Sequence, residues 1–248
     1  MISSVLRIEK TEREDNPQDL EVLIKGEYRM KILYILAVGF MVISVCFTQQ
    51  SAMGTDAQTD YETGLKYYNS QDYAQALKWL RKAANQGHAR AQGFLGVMYN
   101  WGKEGVTKDI AEGLKWLSKG ADQGDAQAQH GLGLAYYQGR GGLVTQNYAE
   151  ALKLLLKAAN QGHAQAQAFL GAIYHGGRGV DQDYAEALKW LRKAADQGDA
   201  GAQLMLGHIY FNGDGVSKNL IEAKNWYRKA VAQGMALWLI PEEFHKGF

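Results

Sequence analysis

The chain has 248 residues, of which 46% are hydrophobic and 21% charged, with 27 Lys and Arg against 26 Asp and Glu. The near-neutral charge excludes the basic footprint of a nucleic-acid-binding protein, and the apolar fraction excludes a chain that stays disordered. A single cysteine excludes a disulfide framework and a cysteine zinc cluster.

An uncharged apolar run at residues 32–47 has the character of the core of a secretory signal peptide. Lys25, Arg29 and Lys31 precede it, and a small, polar stretch at residues 49–54 follows it. A membrane-spanning helix needs about 20 apolar residues, so the run is short for a permanent anchor. The three-part layout therefore predicts a signal that directs export.

This interpretation divides the N-terminal region into two parts. We predict a signal peptide at residues 30–54, starting at Met30, and a charged extension at residues 1–29 from an upstream start that the cell does not use. The predicted location is the periplasm, with secretion or a membrane anchor as alternatives. Lipid attachment at Cys46 is disfavoured, because Val45 stands where lipoprotein signals carry a small residue.

The rest of the chain is an internal repeat. A Gln–Gly dipeptide recurs at residues 86–87, 123–124, 161–162, 197–198 and 233–234. A period of this length is typical of stacked helix hairpins. The array spans residues 55–235, and residues 236–248 are predicted to cap its end. The predicted units are residues 57–88, 89–125, 126–163, 164–199 and 200–235.

The residues that recur in the first helix of each unit stand at helical spacing. In the fourth unit these are Ala166, Gln167, Leu170, Gly171 and Tyr174, which fall on one helix face. A glycine in mid-helix costs about 0.5–1 kcal/mol relative to alanine. We therefore expect the glycine column to mark a close approach between helices.

The second helix of each unit begins with Asp or Asn and has Glu or Gln three residues later, the spacing of a capping box. Lysine recurs in its last turn, where it complements the helix dipole, and glycine ends it. The predicted N-cap residues are Asp72, Asp109, Asn147, Asp183 and Asn219.

Taken together, the columns form the pattern A-x-x-x-L-G-x-x-Y-x-x-G-x-G-V-x-x-D-x-x-x-A-x-x-W-x-x-K-A-A-x-Q-G. This pattern resembles the Sel-1-like repeat, a relative of the tetratricopeptide repeat. The first unit departs from the pattern by lacking the glycine loop, and Leu154 stands in the tryptophan column. The resemblance implies an all-α, right-handed αα-solenoid superhelix of about five hairpins. It also implies an adaptor protein, in bacteria often exported.

Some cysteine-rich relatives are described as binding or hydrolysing β-lactams, so an enzyme must be considered. Ser70, Ser118 and Ser217 are not followed by lysine at the third position, and the sequence contains neither Gly-x-Ser-x-Gly nor His-Glu-x-x-His. We predict no catalytic residue, no cofactor and no metal site.

Two other residue columns receive structural interpretations. His88 and His163 share a column with Asp125 and Asp199, just before a first helix, which favours an N-cap over a metal ligand. The tryptophan column is predicted to pack between units rather than to stack on a ligand.

One face of the first helices varies between units. The glutamine column consists of Gln92, Gln129, Gln167 and Gln203, with Asp60 at the same place in the first unit. Residues one, five and eight positions after this column lie on the variable face, which is concave in superhelices of this type. Its aromatic residues have the composition of binding hot spots. The alternative is that they simply cover the inner surface of a short array. The predicted binding residues are Tyr68, Asn100, Trp101, His130, Leu134, Tyr137, His175, His208 and Phe211.

These observations predict a non-enzymatic, exported scaffold that binds a protein or peptide on its concave face. The alternatives are a factor that associates with peptidoglycan or modulates envelope enzymes, and, last, a β-lactamase-like hydrolase. We expect a monomer that binds no nucleic acid and meets the membrane only through its signal segment.

Overall fold

The structure, a computed structural model, describes residues 56–102 and 104–247. The predicted signal peptide at residues 30–54, with Cys46, and the extension at residues 1–29 lie outside the described residues. Within the described part the chain forms ten α-helices of 13 residues each, and three short 3-10 helices. Among these helices none is both long and apolar enough to cross a membrane.

The helices are numbered in chain order. They are α1 (Ala57–Asn69), α2 (Tyr73–Asn85), α3 (Ala89–Trp101), α4 (Ile110–Asp122), α5 (Ala126–Gln138), α6 (Tyr148–Asn160), α7 (Ala164–Gly176), α8 (Tyr184–Asp196), α9 (Ala200–Asn212) and α10 (Leu220–Ala232). The 3-10 helices are Arg140–Gly142, Leu237–Leu239 and Glu242–Gly247.

Consecutive helices pack as hairpins that stack along the chain. Each first helix packs on the second helix of its own unit, and each second helix packs on the first helix of the next unit. First helices also meet one another directly, α3 with α5 and α7 with α9. The predicted αα-solenoid is confirmed, and we call the surface formed by its first helices the inner face.

The predicted N-caps of the second helices are confirmed. Each cap side chain accepts a hydrogen bond from the backbone N–H three residues later, as in Glu186 N to Asp183 Oδ1 at 3.0 Å. In a complete capping box, the backbone N–H of the cap residue also donates to the side chain three residues later. Here that N–H donates instead to the carbonyl of a tyrosine in the first helix, as in Asp183 N to Tyr174 O at 2.9 Å. Glu186 instead accepts from Lys189 Nζ at 2.8 Å. The cap therefore also fastens the two helices of a hairpin together.

The glycine column marks the closest approach within each hairpin, as predicted. A Cβ placed on Gly171 would lie 2.4 Å from Leu191 Cγ, and one on Gly96 would lie 2.6 Å from Leu117 Cγ. Both leucines are fully buried. Glycine is thus required because the partner helix occupies the space of a side chain.

In the first four units, the glutamine of the Gln–Gly pair donates to a buried side chain of the inner column. Gln197 Nε2 donates to Oε1 of the buried Gln167 at 2.7 Å, and Gln167 Nε2 donates to the carbonyl of Ala159 in the preceding unit at 2.9 Å. The second and third units repeat the first of these bonds. In the first unit Asp60 replaces the inner glutamine and accepts from Gln86 Nε2 at 2.6 Å.

The residues after α10 fold back on the last unit. Ile240 and Phe244 are buried and form a small apolar cluster with Ala223 and Tyr227. The Phe244 ring centroid lies 5.2 Å from that of Tyr227. This segment covers the apolar edge that a sixth unit would otherwise cover.

Candidate functional site

The inner face contains a cavity of about 460 Å³, which we call the inner-face cavity. The first helices of four consecutive units contribute to it, so it crosses several repeat boundaries. Its lining residues are Tyr68, Phe94, Val97, Asn100, Trp101, Gln127, His130, Gly131, Leu134 and Gln165. Five of the predicted binding residues are among them: Tyr68, Asn100, Trp101, His130 and Leu134.

Tyr137 and His175 lie outside the inner-face cavity. The Tyr137 ring packs edge-on against Tyr148 and Phe169, with centroid distances of 5.1 Å to each. His175 Nε2 lies 2.9 Å from Asp214 Oδ2 in the glycine loop of the next unit. Both side chains therefore hold neighbouring units together.

His208 and Phe211 lie under the C-terminal segment. The Tyr227 hydroxyl lies 3.0 Å from His208 Nδ1 and the Phe211 ring centroid lies 5.8 Å from that of Phe244. The chain's own tail thus covers the end of the predicted stripe.

The sequence interpretation missed lining residues next to the chosen offsets. Phe94 and Gly131 stand two residues after the glutamine column, while Gln127 and Gln165 stand two residues before it. At about 100° per residue these offsets fall on the flank of the stripe formed by offsets one, five and eight. A comparison of the column at offset two would have found Gly131, because the second, fourth and fifth units carry Phe or Met there.

The boundary between the second and third units lacks a pair of rings that its neighbours have. Between the first and second units the rings of Tyr68 and Phe94 meet edge-on, with centroids 5.5 Å apart. Between the third and fourth units Tyr137 and Phe169 meet in the same way. We call these two boundaries closed junctions. Between the second and third units the same two positions hold Asn100 and Gly131, so this open junction lacks both rings.

The lining is polar in places but uncharged. Asn100 is only 3% exposed, and its Oδ1 has no hydrogen-bond partner. Burial, and then the nearby His163, lower the pKa of His130 to about 4, so its imidazole is neutral at neutral pH. None of the lining residues is Asp, Glu, Lys or Arg. The inner-face cavity therefore suits an uncharged group.

The rim of the inner-face cavity is aromatic and exposed. Trp101 is 58% exposed, and the Arg140 guanidinium carbon lies 4.6 Å from its ring centroid. Such an amphipathic ring beside an arginine is a frequent feature of binding hot spots.

The remaining sequence candidates are structural. His163 Nδ1 accepts from the backbone N–H of Ala166 at 3.2 Å, which confirms the N-cap interpretation, and His88 does the same for its helix. The tryptophan column packs between helices, and Trp190 is 4% exposed. In residues 56–102 and 104–247 no three His, Cys, Asp or Glu side chains converge as a metal site requires.

The comparisons with known proteins agree with this architecture. The family model described as Sel1 repeat matches residues 61–88, 89–125, 126–163, 164–199 and 200–235. This bears out the resemblance inferred from the repeat columns. No curated protein matched the chain.

Several solved structures are similar. A Sel1 repeat protein from Oxalobacter formigenes has 35% identity and a TM-score of 0.64 over 73% of this chain and 74% of its own. A protective antigen of uropathogenic Escherichia coli strains has 39% identity and a TM-score of 0.60 over 72% of this chain. This chain spans only 38% of the length of that antigen. A Klebsiella pneumoniae structure with 23% identity and a TM-score of 0.54, covering 80% of this chain and 96% of its own, shares the fold.

Proposed function

Because the chain belongs to the Sel1 repeat family, whose members are generally non-catalytic scaffolds that mediate protein interactions, we propose that it is an exported scaffold without enzymatic activity. In this proposal it binds a protein or peptide on the inner face of its solenoid. Solenoids of this type use such extended faces for binding.

The observation that carries the proposal is the inner-face cavity. It is an uncharged, partly aromatic recess with an exposed tryptophan at its rim, and first helices from four units shape it. The closed junctions on either side are filled by their own rings. Binding energy in protein interfaces concentrates where aromatic anchors enter such recesses.

Site-specific photo-crosslinking in cells tests the proposal. A photoreactive residue at position 101 is expected to capture one discrete protein, whereas the same residue at Lys153, exposed on α6, is not. The Asn100→Tyr variant restores the ring that the first and third units carry at this column, so it should abolish the adduct by filling the inner-face cavity. Equal adducts at both positions, or an adduct that survives Asn100→Tyr, would contradict the proposal.

We base the proposed export on the succession of charged, apolar and polar segments at residues 25–54. The E. coli relative is described as a protective antigen, and this description also supports an exported location. Fractionation of cells producing the full chain, followed by intact mass measurement, is expected to give a periplasmic protein that begins after Ala52 or Gly54. An uncleaved cytoplasmic product would refute this part of the proposal.

The exposed Trp101 beside Gln127 and Gln165 favours a second candidate, a factor that binds the glycan of the cell wall. An open indole face with amide groups nearby offers both apolar contact and hydrogen bonds to a sugar. Cosedimentation with purified sacculi that disappears in Trp101→Ala would support this candidate, and a protein that stays in the supernatant would reject it.

A further inference from the structure

Two histidine caps each hold a glutamine of the preceding first helix. His163 Nδ1 accepts from the backbone N–H of Ala166 at 3.2 Å, so the neutral ring carries its proton on Nε2. That Nε2 donates to Gln127 Oε1 at 3.2 Å. His88 caps its own helix in the same way, and its Nε2 lies 2.9 Å from Gln58 Oε1. Burial lowers the pKa of both histidines, so both rings are neutral at neutral pH and fix the orientation of the two glutamine amides.

The two glutamines differ in what their amide N–H groups meet. Gln58 Nε2 donates to Glu62 Oε1, four residues later, at 2.7 Å. Four residues after Gln127 stands Gly131, which has no side chain to accept a hydrogen bond. Among the described residues Gln127 Nε2 has no hydrogen-bond partner, and it is not enclosed by them. Since Gln127 lines the inner-face cavity, it provides an oriented and unused donor there.

We propose that Gln127 Nε2 binds a backbone carbonyl of an extended, uncharged segment of the protein partner, and that an aliphatic side chain of this segment packs on Val97 and Leu134. The proposal rests on the function proposed above and names the part of the partner that the inner-face cavity recognises.

The spacing of the lining residues suits an extended segment. Leu134 stands seven residues after Gln127 on the same face of α5, about 10 Å along the helix axis. An extended chain covers this distance with about three residues. Val97 has the same place in α3 that Leu134 has in α5, five residues after the glutamine column. One short segment can therefore reach the donor and both aliphatic side chains.

The lining also selects the chemistry of the segment. Val97 and Leu134 are half-buried, so each keeps an accessible apolar surface that an aliphatic side chain would remove from water. No lining residue is charged, and a charged side chain would lose its hydration there without a partner. Every residue of an extended segment carries a backbone carbonyl that can accept from Gln127.

An uncharged peptide of three residues tests this chemistry without the natural partner. Acetyl-Ala-Leu-Ala-amide is titrated into protein purified from cells that express the full chain, and acetyl-Ala-Asp-Ala-amide serves as the peptide with a charged side chain. We expect saturable NMR shifts of the Gln127 side-chain amide and of the Val97 and Leu134 methyl groups. The aspartate peptide should bind about tenfold more weakly.

A matched pair of variants isolates the donor. Gln127→Glu keeps the size of the side chain and an oxygen that accepts from His163, but it removes the N–H, so the leucine peptide should bind about tenfold more weakly. Gln58→Glu makes the same change in the first unit, outside the inner-face cavity, and should leave the affinity unchanged. Circular dichroism melting of both variants shows whether each is folded.

Several outcomes would overturn the proposal. These are the absence of saturable shifts, equal binding of the two peptides, an unchanged affinity in Gln127→Glu, and equal weakening in both variants. N-acetylglucosamine that binds as tightly as the leucine peptide and shifts the same groups would also overturn it, because the occupant would then be a glycan. If the leucine peptide fails to bind but the adduct from position 101 still forms, the scaffold function stands and only the recognition of an extended segment is rejected.

Discussion

At the scale of single residues, buried amides fix how one unit sits on the next. Gln167 accepts from Gln197 of its own unit and donates to a backbone carbonyl of the unit before it. Gln167 is 4% exposed, so each of these bonds replaces a hydrogen bond to water that burial removes. The Gln–Gly dipeptide therefore does more than end a helix, because its glutamine completes the connection between units.

Two histidines of the third unit are expected to make stability depend on pH. His163 uses Nδ1 as the acceptor that caps α7, and its Nε2 lies 3.2 Å from Gln127 Oε1, so this arrangement needs the neutral ring. The His130 ring centroid lies 4.7 Å from that of His163. Burial lowers the pKa of His163, and it lowers the pKa of His130 to about 4.

We expect this contribution to stability to be complete above about pH 6.5 and to be lost as the pH falls towards 4, because the unfolded chain binds protons first. A His130→Gln, His163→Asn double variant keeps an N-cap and removes both titrating groups. Urea unfolding at pH 7.5 and 4.5 should show a loss about 2–3 kcal/mol smaller in the double variant. Equal losses in the two proteins would contradict this assignment.

At the scale of helices, the two members of each hairpin have different surroundings. A first helix contacts its hairpin partner, the preceding second helix and, in places, another first helix. Its small residues allow these approaches, and in α7 Ala166 is fully buried. A second helix keeps one polar face, where Glu186 and Lys189 form a surface pair.

Two glycines of α7 provide a matched test of helix packing. In Gly171→Ala the new Cβ would lie 2.4 Å from Leu191 Cγ, so we expect a loss of about 1–3 kcal/mol in the free energy of unfolding. In Gly176→Ala no atom lies within 4 Å, and the better helix propensity should stabilise the protein by about 0.5–1 kcal/mol. Chemical denaturation measures both. An unchanged free energy of unfolding in Gly171→Ala would show that the two helices of the hairpin can move apart without cost.

Local rules explain which features could be predicted. Asp183 as an N-cap and Gly171 as a contact point follow from spacing within one unit, and both are confirmed. Residues of four units together line the inner-face cavity, so a reading of each unit by itself finds only part of it. The cover over Phe211 comes from the irregular tail, to which no repeat pattern applies.

At the scale of the whole solenoid, the apolar clusters at the first and second boundaries differ in size. The cluster at the first boundary contains eleven buried side chains, including Tyr61, Leu95 and Trp116. The cluster at the second boundary contains three, Leu117, Ala121 and Ala128. At the second boundary α3 and α5 also contact each other directly, so contacts between first helices add to the small apolar cluster there.

Native-state hydrogen exchange tests how strongly these contacts couple the second and third units. Under mild denaturant we expect the amides of α3–α6 to exchange as one group with a single opening free energy, because α3 and α5 contact each other directly across the boundary. Asn100→Tyr, which enlarges a buried side chain of α3, should lower this opening free energy. Separate opening free energies for α3–α4 and α5–α6 in the unaltered protein would refute the expectation.

The alternation of closed and open junctions also sets how often such an array can repeat a boundary without rings. Residues 89–163 begin after one histidine cap and end with another, His88 and His163. A tandem duplication of this segment would place Tyr137 before a second copy of Phe94 and would bring Asn100 and Gly131 together again in the new copy. Each added pair of units would thus add one boundary of each kind, so their number would grow in steps of two repeats.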